Sequence, residues 1–385
     1  MKILFLTPVL PWPLVSGGQI RAYHLLKALQ KNHQVTLVAY IRDASEKQYL
    51  PELTKLCERV ILVKREYKPW TRQALFKSFF SSQPLVMNIY KTKRPFLEDV
   101  KGYDAIYCEC FYLMDKISQG RTPLFLSEQN IEYLAYRRYI EALAGWKKLI
   151  LWLPMKIDVL KMKYWEVKAW RQATKVAVMS HDDRKIVEEK TGRTDVVVLP
   201  NGVDTDNFSF SPERPTTKTV LFIGNFNWFQ NLQAAEWLVK EIFPQIKKKI
   251  SDVRLLVVGR HAPEWLKAVN GESIRVEESL EDIREAYQKA TVFLAPLLSG
   301  SGTKYKILEA MASGIPVVTT AVGSEGLIAE GMVVRKTTDE LAEAVVDVLN
   351  NPEKYAEMTK RARKLAEENF DWKIIGQKLE EFLAK

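Results

Sequence analysis

At 385 residues the chain exceeds what one hydrophobic core ordinarily supports, so two domains are expected. Apolar residues make up 47 % of it, which excludes a disordered chain, yet no run reaches the roughly 18 to 20 apolar residues that span a bilayer. The formal net charge of +10 asks for an anionic partner: a phosphorylated substrate, a membrane surface or nucleic acid.

The chain begins "MKILFLTPVLPWPLV". Pro8, Pro11 and Pro13 interrupt this run and no small-residue cleavage site follows, so it reads as a first β-strand leading into a loop rather than a signal peptide. Short apolar runs then alternate with helical patterns: "KILFLT", "QVTLVAY", "RVILVK", "AIYCEC", "PLFLSE", "KVAVMS" and "VVVLPN". Strands apolar on both faces and separated by helices form a parallel sheet covered on two sides. After Asn201 comes "GVDTDNFSFSPERPTTK", rich in Pro, Ser and Thr, which reads as a linker. The alternation restarts with "TVLFIGN", "VRLLVVG", "SIRVEE", "TVFLAPL", "IPVVTT" and "GMVVRK", giving a second doubly wound α/β domain.

Residues 137–175 differ in composition, mixing lysine and arginine with Tyr139, Trp146, Trp152, Tyr164, Trp165 and Trp170. Pro154 is expected to break or kink this stretch, leaving two helical pieces. Two readings stay open: a packed helix with a solvated basic face, or a helix lying in an anionic membrane interface over 146–171. Cys57, Cys108 and Cys110 form no even framework and read as reduced core thiols. His24, His33, His181 and His261 are scattered without metal spacing, and Asp182 and Asp183 read as a helix cap rather than a metal site.

Ligands of doubly wound sheets bind beyond the carboxyl ends of the strands, and the unusual loops of this chain follow strands. "SGGQIR" places Gly17 and Gly18 between the first strand and a helix, where backbone N–H groups meet an anion or simply make a tight turn; no GxGxxG is present. "PLLSGSGTKYKILEAMASGIPVV" feeds a glycine-rich turn into a helix without Walker A spacing. On a helix Lys304 and Lys306 diverge by about 200°, so one faces phosphate and the other solvent; Lys304, nearer the glycines, is favoured for phosphate. Glu309 lies inside that helix, suited to a ribose diol or to the surface, and Gly314 ends the helix before Pro316. Trp228 and Phe229, after the first strand of the second domain, suit stacking on a base or sugar, or packing in the core.

Taken in order, "SGGQIR", "VLPNGVDTDNF", "VLFIGNFNWFQNLQAAEWLVKEIFP", "VVGR" and "PLLSGSGTKYKILEAMASGIPVVTTAVGSEGL" resemble glycosyltransferase family 4, the retaining sugar transferases of GT-B fold, over nearly the whole chain. The resemblance implies two Rossmann-like domains facing across a cleft. These are an acceptor domain at 1–205, a linker at 206–217, a nucleotide-sugar donor domain at 218–369, and a last helix within 370–385 that crosses back to the N-terminal domain. It implies a nucleotide-sugar substrate with no metal or other cofactor. Glu309 matches the second Glu of the family's E-x7-E motif and is expected on the donor ribose. Amides near Gly302 and Thr303, with Gly17 and Gly18, are expected on the diphosphate, and Arg21, Asn225, Asn227, Ser301 and Lys306 complete the expected donor set.

Three positions depart from the family pattern. Ser301 stands where the first Glu is usual; after the strand ending at Ile223, where an Arg and then a Lys are common, the chain reads "GNFNWFQN", with Asn225 and Asn231 nearby and no cation; and Gln129 stands in place of a His after the fifth strand. Lys304 is expected to fill the missing charge, and Lys304, Glu309 and Gln129 are the candidate catalytic groups. The expected function is transfer of a sugar to a glycan or lipid-linked acceptor in cell-surface polysaccharide or glycoconjugate synthesis, at the cytoplasmic face of the membrane. The alternative is a catalytically weak homologue that binds sugar nucleotide or glycan. Nucleic acid is set aside because the basic residues mix with Trp and Leu and no nucleic-acid motif appears.

Overall fold

The structure, a computed structural model, describes residues 1–66, 72–90, 100, 102–116, 120–141, 145–211, 215, 217–278, 280–300 and 304–384. The chain divides into two compact units, Met1–Pro200 with Ile375–Lys385, and Asn201–Ile374.

The first unit is built on a parallel sheet of seven described strands: β1 Lys2–Thr7, β2 Gln34–Ile41, β3 Arg59–Lys64, β4 Ala105–Glu109, β5 Leu124–Ser127, β6 Lys175–Val178 and β7 Val197–Val198. Their order is β3-β2-β1-β4-β5-β6-β7. Ile3, Leu4, Phe5 and Leu6 on β1 are fully buried, as are Cys108 on β4 and Leu126 on β5, because helices cover both faces. The strand order reverses between β1 and β4, which is where a doubly wound sheet opens a crevice at its carboxyl edge.

The second unit repeats the plan with β8 Thr219–Ile223, β9 Arg254–Val258, β10 Ile274–Glu277, β11 Val292–Ala295, β12 Val317–Thr319 and β13 Val333–Val334. The order is β10-β9-β8-β11-β12-β13, all parallel, with the reversal between β8 and β11. Every apolar run identified as a strand in the sequence therefore is one, and both halves are Rossmann-like.

Two local expectations differ from what the structure shows. The expected linker at 206–217 begins later than the division at Pro200, and residues before it pack with the second unit. The Val203 amide donates to Phe370 O at 2.7 Å, Thr205 Oγ1 donates to Asp371, and Arg363 reaches Thr205 O at 3.0 Å and Phe208 O at 2.5 Å. Pro154 does not split its segment: Gly145–Gln172 is one 28-residue helix. Proline costs the helix one hydrogen bond, whereas Met155, Met162 and Ala169, seven residues apart, lie buried along one stripe that keeps the helix seated.

Smaller points follow the same logic. Ser180, not the aspartates after it, caps the helix His181–Thr191, accepting from the Asp183 amide at 3.1 Å. The cysteines are free and buried. Within the first unit Phe382 packs edge-on against Phe125, and His33 Nε2 lies 2.6 Å from Glu380, fastening the returning segment.

Candidate active site

In the second unit the site begins with a close approach of two strand ends. A Cβ on Gly259 would lie 1.7 Å from Gly224 O, so the chain can pass there only as glycine. Past Gly224 the backbone turns about Asn225, whose Oδ1 accepts from the Asn227 amide at 3.1 Å and whose carbonyl accepts from the Trp228 amide at 3.1 Å. Asn231, buried on the helix Phe229–Trp237, donates Nδ2 to the same carbonyl at 2.8 Å. Its amide is thereby oriented, and Oδ1 faces the incoming Lys306.

Lys306 lies on the helix Tyr305–Ala312 that follows β11. Its Nζ donates to Asn231 Oδ1 at 2.7 Å and stands 5.0 Å from the centre of the Phe222 ring. Burial pushes its pKa down to about 7; Lys304 adds to that, while Glu309 opposes it. One turn on, Glu309 accepts a 2.7 Å bond from Tyr287 OH, which also lies 3.1 Å from Lys306 O. Burial raises the Glu309 pKa, and Tyr287 and Lys306 pull it back. A cation and an anchored carboxyl thus stand on adjacent turns of one helix at the carboxyl edge of the sheet.

This arrangement differs from the helical placement expected of the two lysines. Lys304 is the N-cap residue, with ψ 106°, and is not part of the helix, so the helical angle between the two lysines does not apply. Its side chain passes Gly300, where a Cβ would lie 3.5 Å from Lys304 Cε; Gly300 has φ +134°, a conformation that favours glycine. Lys306, expected to be secondary, is the one that delivers charge to the end of β8, where Asn225 and Asn231 have none. Gly314 ends the helix with φ +70°, as the sequence suggests. Trp228 and Phe229 are exposed and are not core residues. Ser301, Gly302 and Thr303 lie outside the described residues.

In the first unit Gly17 and Gly18 open the helix Gly17–Leu29 directly after the β1 loop. Ser16 Oγ donates to Gln19 Oε1 at 2.8 Å, and Gln19 Nε2 returns to Leu10 O at 3.1 Å, closing the loop on itself. Gln129 lies beneath: a Cβ on Gly18 would come 3.3 Å from Gln129 Oε1. Arg21, expected on the donor, is fully buried instead. Its guanidinium donates to Pro200 O at 2.9 Å, Leu199 O at 3.0 Å and Ser127 Oγ at 3.2 Å, and its Nε lies 3.7 Å from Glu109 Oε1. Buried carbonyls need donors, and this arginine supplies them, so it ties the loop after β7 to the sheet.

Glu109, at the end of β4, was not singled out in the sequence although a lone carboxylate in an apolar strand was the signal. It pairs in register with Ser127 on β5. No group of His, Cys, Asp or Glu that could hold a metal ion occurs among the described residues.

The segment 146–171 forms most of the long helix, with Trp152, Leu153, Leu160 and Tyr164 exposed. Beside it lies a helix the sequence reading did not single out, Arg72–Phe80, which turns Phe76, Phe79 and Phe80 to solvent. Lys161 Nζ joins the two, donating to Ser78 O at 2.8 Å and Phe79 O at 3.3 Å. Among the described residues no helix is long and apolar enough to cross a membrane.

Two parallel doubly wound sheets, each carrying its polar side chains at the point where strand order reverses, define the GT-B class of glycosyltransferase. The sequence model described as Glycosyltransferase Family 4 matches residues 15–207, and one described as Glycosyl transferases group 1 matches 217–351. The chain belongs to glycosyltransferase family 4 and is a glycosyltransferase. It is 24 % identical, over 97 % of both chains, to a Klebsiella pneumoniae protein described as an uncharacterized 44.6 kDa protein in the cps region. It is 29 % identical to the phosphatidyl-myo-inositol mannosyltransferase of Mycobacterium leprae over 48 % of this chain, spanning about half (52 %) of that relative. In fold it resembles HepE of Anabaena in complex with UDP, with a TM-score of 0.68 at 16 % identity over the full length of both chains.

Proposed function

We propose that the protein is a retaining transferase that moves a sugar from a nucleoside diphosphate donor to a glycan or lipid-linked acceptor in the making of cell-surface polysaccharide or glycoconjugate. The observation that carries this reading is the Lys306 ammonium, held by Asn231 at the end of β8 one turn from the Tyr287-anchored Glu309. A diphosphate offered to that edge meets a positive charge in a weakly solvated setting, where it is worth far more than in water. As the donor's glycosidic bond breaks, charge builds on the leaving diphosphate, and a fixed cation stabilises that state most. Glu309, with one oxygen taken by Tyr287, keeps the other for the ribose hydroxyls.

The UDP complex of HepE and the phosphatidylinositol acceptor named for the mycobacterial relative support a nucleotide donor and a lipid-linked acceptor. The Klebsiella relative's location in a cps region supports the polysaccharide role. The exposed aromatic and basic residues of 146–171, extended by Phe76, Phe79 and Phe80, favour peripheral contact with an anionic membrane from the cytoplasmic side. Neither a metal nor another cofactor enters this reading, because Lys306 supplies the charge a metal would bring.

Gln129, standing where the family pattern has a histidine, favours a second reading: a homologue that binds sugar nucleotide without turning it over. Incubating the full chain with UDP-glucose, UDP-N-acetylglucosamine and GDP-mannose, and following release of UDP or GDP, separates the two. Release stimulated by a lipid-linked acceptor is expected; tight binding with no release from any donor would establish the second reading.

A further inference from the structure

Beneath the glycine loop of the first unit, polar side chains from three adjacent strands and the loop after β5 converge. Thr7 on β1, Tyr107 and Glu109 on β4, and Ser127 on β5 are all fully buried, and Gln129 follows two residues after Ser127. Strand alternation sets Tyr107 with Glu109 on the same side of the sheet, and Gln129 lies in the loop two residues past the end of β5. Among the described residues Thr7 Oγ1, Tyr107 OH, both Glu109 oxygens and Gln129 Nε2 are buried with no partner in full hydrogen-bonding geometry. Unsatisfied buried groups are rare and costly, so a donor and two acceptors left side by side mark a bond that the working molecule makes.

The backbone around Gln129 is fixed. The Glu128 amide donates to Ala177 O at 2.9 Å, and the Glu128 carboxylate accepts from the Phe111 amide at 3.2 Å and from Trp170 Nε1 at 3.0 Å. What remains adjustable is the Gln129 amide, whose two ends have the same shape and whose orientation is set by whatever partner it finds. We infer that Glu109 is the positioning residue for Gln129: its carboxylate takes the Gln129 Nε2–H, turning the amide oxygen outward under Gly18 to receive a sugar hydroxyl. A protonated Glu109 does the reverse, donating its O–H to Gln129 Oε1 and presenting the NH2 group instead. The carboxyl therefore decides whether this edge accepts or donates a hydrogen bond, and so which hydroxyl of the acceptor or donor sugar it holds.

The charges around Glu109 make that choice accessible. Burial raises its pKa to about 7, and Arg21 from the overlying helix is the charge opposing that rise, with the Thr7 and Gln129 side chains, near enough to act as hydrogen-bond donors, also favouring the ionised form. Tyr107 on the same strand and Cys108 beside it are both pushed above their usual range by burial and are neutral near pH 7. Above pH 7 Glu109 is ionised and the amide oxygen faces out; below it the amide turns over.

The inference rests on the glycosyltransferase reading for its consequence, but its first test does not. In the full chain labelled with 15N-glutamine, and assigned by Gln129→Glu, the Gln129 side-chain amide resonances are expected to shift with a midpoint near pH 7. They are expected to be pH-independent in Glu109→Gln. A Gln129 signal that does not titrate in the wild-type protein overturns the inference whether or not a donor has been found. The second test is kinetic: with a donor that the wild type turns over, kcat should fall about tenfold from pH 8 to pH 6, and Glu109→Gln should lose this acid limb while KM for the donor is unchanged. Restoration of the limb by Glu109→Asp supports positioning. An acid limb that survives in Glu109→Gln overturns it, whereas absence of turnover in the wild type bears only on the functional reading.

Discussion

Each unit sets a cation and a glutamate at the carboxyl edge of its sheet, and the two pairs have different destinations. In the first unit Arg21 is fully buried, and its guanidinium is occupied by Leu199 O, Pro200 O and Ser127 Oγ, with Glu109 close by. In the second, Lys306 has one neutral amide oxygen as its hydrogen-bond acceptor among the described residues, and Glu309 is held by a tyrosine rather than by the lysine. A charge whose donors are aimed at protein carbonyls is part of the scaffold. A charge held half-neutral by burial and hydrogen-bonded to a neutral amide is poised to gain from an anion.

The comparison can be broken from either side. Replacing Arg21 with Ala removes the buried positive charge beside Glu109 and leaves two buried carbonyls without their donor, and it is expected to cost about 3–5 kcal/mol of stability, seen as a large fall in Tm. The nucleotide affinity of the molecules that remain folded should be unchanged. Lys306→Met is expected to do the converse, lowering kcat/KM on a nucleotide-sugar about 100-fold, which is roughly 3 kcal/mol of transition-state stabilisation, with little change in Tm. If Lys306→Met instead unfolds the protein while Arg21→Ala abolishes nucleotide binding, the two roles have been exchanged.

Gly259→Ala tests the frame of the second site. Its Cβ would meet Gly224 O at 1.7 Å, so a loss of about 3 kcal/mol in stability is expected from denaturant melts, with weaker nucleotide binding as the Asn225 turn shifts. The pH dependence gives a further, smaller effect. Lys306 has its folded pKa depressed to about 7, below the ordinary lysine range, so between that value and the usual one the unfolded chain binds more protons. The penalty on the folded protein from this group is complete below pH 7 and is relieved as pH rises. Nucleotide binding runs the other way, because phosphate favours the ammonium. Calorimetry at pH 8 in buffers of different ionisation enthalpy should register proton uptake on binding, and affinity should weaken by up to about tenfold per pH unit above 7.

The least of these effects concerns the membrane. Changing Phe76, Phe79 and Phe80 together to Ser should reduce co-sedimentation with anionic vesicles without altering turnover of a soluble donor. Equal co-sedimentation would return the long helix to the role of a packed element with a solvated basic face.

The fold was legible because parallel strands buried on both faces write themselves as apolar runs, and every such run became a strand. The glycine at 314 was legible for a related reason, since a helix end with φ +70° demands backbone freedom. The site was read less fully. Tyr287 reaches Glu309 from a separate helix 22 residues away, a contact that helix packing decides and spacing does not. The expected divergence of Lys304 and Lys306 by about 200° assumed that both lie on the helix, whereas the helix begins at Tyr305. Glu109 was visible as an isolated carboxylate in "AIYCEC", but its meaning depends on Thr7 and Gln129, which only the sheet brings beside it.

The central claim, that the second unit holds a nucleoside diphosphate through Lys306, is tested most directly by calorimetric titration of UDP and of GDP into the wild-type protein and Lys306→Met. At least one nucleotide is predicted to bind the wild type, with affinity reduced at least tenfold in the variant. Equal affinity in the two proteins, or no binding of either nucleotide to the wild type, would contradict it.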